Sequence, residues 1–284
     1  MTCAWKELLA VLPAWMRDEV NTRGQERLQE IRLRIHVPPE LVFAEKSQWL
    51  DRAATQEDLH YTINTASRYS PWAAASMAKG YITVSGGHRI GLCGEAVIQQ
   101  GAVTGIKNIT SLCIRVARDF PGIAADLGKV TGSILILGPP GWGKTTLLRD
   151  LIRQTWESER ICVVEERGEL FPEGLSSANK VDVLTGCSKQ AGIGMLLRTM
   201  GPGCIAVDEI TDPADTEALL HAANCGVRLL ATAHAASVSD FRRKESYRKL
   251  WEYQVFETAV VLQADRSYTI ERLTQWNTNG SVRY

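Results

Sequence analysis

The order of apolar and polar positions divides the chain into two unlike halves. In the first, apolar residues recur at helical or alternating spacing. Leu8, Leu9, Leu12 and Trp15 fall on one stripe of a helix expected over Trp5 to Val20, with Pro13 as an interruption. Ile31, Leu33 and Ile35 then alternate with Arg32 and Arg34. That period of two predicts a half-buried strand with arginines on its open face, ended by Pro38-Pro39. A helix in two pieces, split near Pro71, is expected over Thr55 to Lys79. Gly80 to Val84 reads as a strand, Ser85-Gly86-Gly87-His88 as a turn, Arg89 to Ile98 as a returning strand and Ser111 to Val116 as a third. Residues 1–118 are therefore expected to form an α+β domain, followed by a linker over 119–132 that carries Pro121-Gly122 and Gly128.

From residue 133 to 284 the pattern changes. Short continuous apolar runs alternate with helical stretches: Ser133 to Leu137, Ile161 to Val164, Cys204 to Val207, Arg228 to Thr232, and Thr258 to Gln263. Strands buried on both faces read as continuous runs, because neither face needs polar residues. Their alternation with helices predicts an α/β domain with a mainly parallel sheet.

The first run leads into Gly138-Pro139-Pro140-Gly141-Trp142-Gly143-Lys144-Thr145-Thr146, which fits G-x-x-x-x-G-K-[ST] position by position between a strand and a helix. Glycines let such a loop wrap closely, so that main-chain N–H groups and the helix N-terminus face phosphate oxygens. Gly138 to Thr146 are thus assigned to ATP. Lys144 would reach the β- and γ-phosphates, and the Thr145 hydroxyl would hold Mg²⁺. The Cys204 run ends in Asp208-Glu209. Asp208 is the candidate metal carboxylate and Glu209 the candidate base for an attacking water. Another run ends in Thr232-Ala233-His234, where a histidine either senses the γ-phosphate or serves the fold alone. Val163-Val164-Glu165-Glu166-Arg167-Gly168-Glu169 ends a further strand in three carboxylates and an arginine, a pattern that fits a solvated strand end equally well.

Composition narrows the field. Of 284 residues, 45% are apolar and 23% charged, as in an ordinary globular chain. The 32 basic and 32 acidic side chains cancel, which counts against a nucleic-acid partner. Arg242-Arg243-Lys244, the densest basic stretch, reads as a solvated helix face. Seven cysteines without a CxxC read as reduced thiols rather than a zinc site. No apolar run reaches the ~18 residues of a membrane span, and charge interrupts the N-terminus early. A cytoplasmic chain is expected, able to dock on a membrane complex.

Taken together, these motifs resemble the secretion ATPases of type II and type IV systems, a hexameric RecA-like branch of the P-loop enzymes. In that family an acidic box, a Walker B strand ending in Glu and a His box would correspond to Glu165–Glu169, Ile205–Glu209 and Gly226–His234. The similarity runs from about residue 6 to about residue 265. It is closest to the branch that serves endospore formation, through Glu30-Ile31-Arg32-Leu33-Arg34-Ile35, Gly80-Tyr81-Ile82-Thr83-Val84, Gly86-Gly87-His88-Arg89-Ile90-Gly91-Leu92-Cys93-Gly94, Ile114-Arg115-Val116-Ala117-Arg118 and Asp182-Val183-Leu184. The resemblance implies a RecA-like ATPase domain preceded by a smaller N-terminal domain that packs on a neighbouring subunit. It further implies ATP and Mg²⁺, catalytic roles for Lys144, Glu166, Glu209 and His234, and metal binding by Thr145 and Asp208. It implies a homo-hexamer in the mother cell, peripheral to the membrane-embedded channel proteins that link mother cell and forespore. An arginine in trans would come from Arg32, Arg34, Arg89 or Arg115. Three positions depart from the family pattern: Glu165 where Asp is expected, Cys113 where Asn is usual, and Thr211-Asp212-Pro213 in place of a more basic stretch. Rival readings are a RecA-like nucleic-acid motor, a small-molecule kinase and a nucleotide-binding scaffold with little turnover.

Overall fold

A computed structural model describes residues 3–24, 27–67, 77, 80–166, 168, 170–171 and 181–273. Among these residues the chain divides into two compact units after Asp119.

The first unit begins with α1 (Trp5–Val11) and α2 (Ala14–Gly24). The helix expected as one element breaks at Leu12-Pro13, because Leu12 is extended before the proline ring. Then follow β1 (Glu30–Arg34), β2 (Val37–Val42), β3 (Ser47–Trp49), α3 (Gln56–Ser67), β4 (Tyr81–Thr83), β5 (Arg89–Gln99) and β6 (Ala102–Arg115). The stretch around Pro71 lies outside the described residues. The strands form an antiparallel sheet in the order β3-β2-β1-β6-β5-β4. One face is apolar: Ile31, Leu33, Ile90, Leu92, Leu112 and Ile114 bury with Leu8, Leu12 and Met16. Each such side chain contributes about 1.5–3 kcal/mol on burial. Glu30, Arg32 and Arg34 alternate onto the other face, half-exposed.

Two expectations for this unit need correction. Pro38-Pro39 do not end the sheet, because they lie inside β2. Arg32 pairs with Glu40 and Arg34 with Val37, so Leu33 alone faces both prolines. The prolines occupy a bulge, where a missing N–H costs no ladder bond. Next, β5 follows the expected strand closely, but β6 begins at Ala102, nine residues before the strand expected from Ser111, so the two form a long hairpin. Its outer part is mostly exposed on both faces, so no burial pattern marks it.

The turn before β5 is tied down by His88, which is fully buried. Its Nε2 donates to the Ala4 carbonyl at 2.8 Å, and its Nδ1 accepts the Ala117 N–H at 3.1 Å. Burial, with Arg118 adding to it, pushes the imidazole below its ordinary value of 6.5, against the opposing pull of the Ala4 carbonyl and Glu7. Gly86 has φ 82°, and a Cβ there would fall 2.0 Å from the Cβ of Ala4. Glycine is therefore required both for conformation and for the close approach.

The second unit contains β7 (Ile134–Leu137), α4 (Lys144–Thr155), β8 (Ile161–Glu165), β9 (Asp182–Thr185), α5 (Lys189–Thr199), β10 (Cys204–Ile210), α6 (Pro213–Asn224), β11 (Arg228–Ala233), α7 (Val238–Arg243), α8 (Arg248–Glu252), β12 (Thr258–Leu262) and β13 (Tyr268–Arg272). The seven-stranded order is β13-β12-β7-β11-β10-β8-β9. Every pairing is parallel except β12 with β13. The five apolar runs form its centre. The sheet adds two strands at its edges, β9 and β13, which are short and largely exposed and so carry little apolar signal.

Alternate residues of the central strands enter two cores. Leu135, Leu137, Val164, Val207 and Leu229 pack with α5 and α6, while Ile134, Ile136, Val163, Ala206 and Leu230 pack with α4. Burial on both faces is the physical source of the uninterrupted runs. Ala124 and Leu127, in the stretch expected as a linker, bury in the α4-side core, and the Ala124 N–H donates to Asp150 at 2.8 Å.

Candidate active site

The parallel strands end along one edge of the sheet, where ligands of open α/β sheets bind. β7 runs into Gly138, and α4 begins at Lys144. Gly143, the residue before α4, has φ 98°, a left-handed backbone that favours glycine. The helix has no side-chain cap and no acidic residue in its first turn, so its N-terminal N–H groups and partial positive charge face the loop. Of the loop residues, Gly138 is buried, Pro140 and Gly141 are exposed, and Thr145 and Thr146 are half-buried. Trp142 packs half-buried against the α4-side core.

Lys144 is buried. Its Nζ donates to the Pro139 carbonyl at 3.0 Å and to His234 Nδ1 at 3.0 Å. Burial lowers its pKa, and Glu209 and Asp208 pull the other way. Thr145 Oγ1 donates to Asp208, at 3.1 Å from Oδ2 and 3.3 Å from Oδ1. An ammonium only donates, so His234 Nδ1 must accept and Nε2 must carry the proton. That nitrogen donates to Glu209 Oε1 at 2.6 Å. Lys144, His234 and Glu209 thus form one hydrogen-bonded chain, and Thr145 with Asp208 a second contact, although β11 separates β7 from β10.

The intervening strand also supplies Thr232, named with His234 at the strand end but given no role of its own from the sequence. Its hydroxyl donates to Asp208 Oδ1 at 3.1 Å and accepts the Glu209 N–H at 2.9 Å. A lone hydroxyl within an apolar run was the available signal.

The acidic segment is placed differently. Glu165 is buried, and its carboxylate accepts the N–H groups of Leu170 at 2.6 Å and Phe171 at 3.3 Å. It anchors the turn after β8. Glu166 pairs with Lys189 at 3.3 Å, and Lys189, itself buried, also meets Asp215 at 3.2 Å. Nothing in the sequence pattern marked Lys189. Arg167 and Glu169 lie outside the described residues. Thr211-Asp212-Pro213 forms the start of α6: Asp212 and Asp215 make a capping box with Pro213 in the first turn, a device that contributes about 1 kcal/mol.

Two strand ends are held from outside the sheet. The Tyr247 hydroxyl donates to the Ile210 carbonyl at 3.2 Å, and Lys244 Nζ donates to the carbonyl of His234.

In the first unit, the four candidate arginines share the open face of the sheet. Arg32 pairs with Glu30 at 2.8 Å, Arg34 with Glu40 at 3.1 Å and Arg115 with Glu30 at 3.6 Å, while Arg89 lies 3.8 Å from the Tyr81 ring centre.

The fold is that of the RecA-like secretion ATPases. The Legionella pneumophila ATPase DotB superposes with a TM-score of 0.60 at 17% identity, over 91% of this chain and 79% of that one. The pilus retraction motor PilT, solved with bound ADP, gives a TM-score of 0.62 at 17% identity, over 89% and 79%. In sequence, the chain is 36% identical over 271 residues to the stage III sporulation protein AA of Bacillus subtilis, covering 88% of each. The family model for sporulation stage III, protein AA, matches residues 6–280. On that match and that identity, the chain belongs to the sporulation stage III protein AA family.

Proposed function

We propose that the chain is a magnesium-dependent ATP hydrolase that works as a homo-hexameric motor, energising or assembling the channel complex between mother cell and forespore. One observation carries the reading: the cationic end of the P-loop and the acid pair of β10 meet in a single hydrogen-bonded group, 3.0 Å from Lys144 to His234, 2.6 Å from His234 to Glu209 and 3.1 Å from Thr145 to Asp208, with Thr232 joining the two acids.

The donor set fits the expected ligands. Gly138 to Thr146 offer main-chain N–H groups, one ammonium and an uncapped helix start to a triphosphate. Thr145 and Asp208 offer hard oxygens close together, as Mg²⁺ prefers. Bound there, the ion would neutralise charge on the β- and γ-phosphate oxygens. Lys144 would exchange His234 for a phosphate oxygen. His234, released at Nδ1, would report that exchange to Glu209, and Glu209 would take the proton of the attacking water. The pair of Glu166 with Lys189 supports an electrostatic role for the acidic segment at the same sheet edge. Arg32, Arg34, Arg89 and Arg115 are the candidates for neutralising transition-state charge in a neighbouring subunit.

The sporulation family supports the cellular process, and the ADP of the PilT structure supports an adenine nucleotide. Among the described residues no helix is long and apolar enough to cross a membrane. This accords with a motor on the cytoplasmic, mother-cell side that docks on membrane-embedded channel proteins.

The test is ATP turnover measured alongside oligomer mass, with and without nucleotide. Glu209→Gln is expected to bind ATP and lose about 10²–10⁴ in kcat, the usual contribution of a general base. Lys144→Ala is expected to lose nucleotide binding. Parental turnover by Glu209→Gln would refute the base, and a monomer with ATP at high concentration would refute the ring.

A further inference from the structure

Adjacent residues of a strand point to opposite faces of its sheet. Asp208 and Glu209 should therefore diverge, yet both belong to one hydrogen-bonded group. The register explains how. In the pairing of β10 with β11, Val207 faces Ala231 and Ile210 faces Ala233. Two residues, Asp208 and Glu209, stand opposite one, Thr232. The cores record the same slip: Ile205, Val207 and Ile210 all enter the α5/α6 side, where strict alternation would send Ile210 to the other. Glu209 absorbs the extra residue with φ 45°. Among the described residues it is the one non-glycine of the parallel sheet in the left-handed region, a conformation that costs about 1–2 kcal/mol. Such bulges re-aim side chains next to active sites.

Thr232 closes this bulge. It is fully buried, and Leu230 two residues before it packs on the α4 side, so the hydroxyl sits on the face where Thr145 meets Asp208. Both capacities of the hydroxyl are used. It accepts the Glu209 N–H at the irregular step of the ladder. It donates to Asp208 Oδ1, leaving Oδ2 as the closer oxygen to Thr145. One side chain thereby fixes the backbone of one acid and the carboxylate of its neighbour.

We infer that Thr232 is the positioning residue that turns two consecutive acids of one strand into a metal carboxylate and a base acting on the same substrate. The inference rests on the ATPase reading and adds the element that makes the acid pair work. The partners of the Thr232 hydroxyl are Asp208 and Glu209, and its effect passes through them.

The experiment compares Thr232→Val, which keeps the branched shape and removes the hydroxyl, with Thr232→Ser, which keeps the hydroxyl. Two readouts are taken: kcat, and the Mg²⁺ concentration at which ATP half-maximally raises the melting temperature. The second needs no turnover, so failure of the ATPase reading is separable from failure of this inference. Losing an outer hydrogen-bond partner of a metal ligand costs about 10–100-fold. The valine variant is expected to show that loss in kcat and a comparable rise in the Mg²⁺ midpoint, with Mg²⁺-free ATP binding unchanged and both properties restored in Thr232→Ser. If the valine variant does not fold, Thr232→Ala, which empties the site rather than crowding it, is read in the same way. A hydroxyl-free variant with the parental Mg²⁺ midpoint would overturn the inference, as would a serine variant as impaired as the valine.

Discussion

The two units each enclose a histidine with both ring nitrogens engaged, and the difference between them separates scaffold from site. His88 is held by two main-chain groups, the Ala4 carbonyl and the Ala117 N–H, which cannot leave without unfolding the turn. His234 is held by two ionisable side chains, Lys144 and Glu209, beside the loop that leads into α4. Partners of the first kind make a joint. Those of the second kind can be exchanged when a ligand arrives. Burial follows the same division: His88 is fully buried, whereas the His234 side chain is about one-third exposed.

Substitutions should break this comparison cleanly. The largest effect on stability is expected for His88→Leu, which leaves two main-chain groups unpaired at about 1–3 kcal/mol each. Urea unfolding would measure it, and a change of midpoint no larger than that of a surface substitution would show that the joint carries nothing. His234→Gln should do the reverse. It is expected to lower kcat by about tenfold or more while shifting stability by no more than about 0.5 kcal/mol. Equal losses of stability in both variants would erase the distinction.

The smallest effect is a pH dependence. The folded protein holds His88 below its ordinary 6.5, so between those two values the unfolded chain binds the extra proton. Stability from this site is full above 6.5 and falls as the pH drops towards the folded value, by at most about 1.4 kcal/mol per pH unit. The difference in urea midpoint between pH 7.5 and pH 5.5 should be larger in the parent than in His88→Leu.

Legibility from sequence followed burial. The central parallel strands were readable because both their faces are covered, and β1 because only one of its faces is. The outer half of β6 and the edge strands β9 and β13 were not readable, since exposed strands have no reason to alternate. Pro38-Pro39 misled because a bulge tolerates what a regular ladder does not. In the candidate site, Gly138 to Thr146 and Asp208-Glu209 stood out because the chemistry proposed for them requires fixed residue types in a fixed order. Thr232 and Lys189 did not, because their roles depend on which strand lies beside which, and neighbour order is absent from a linear pattern. Glu165 was readable as an acid but not as an anchor, since its partners are main-chain N–H groups that any sequence supplies.

The irregular end of β10 has a consequence for anyone redesigning this domain. Deleting one residue between Val207 and Ile210 would restore an ideal ladder, relieve a left-handed backbone and satisfy every rule of sheet construction. On the proposed ATPase reading the resulting protein would be better made and inert, with one acid where the proposed chemistry needs two. On that reading, selection for a more perfect sheet and selection for turnover pull this strand in opposite directions, and consensus or stability-guided redesign should leave it untouched.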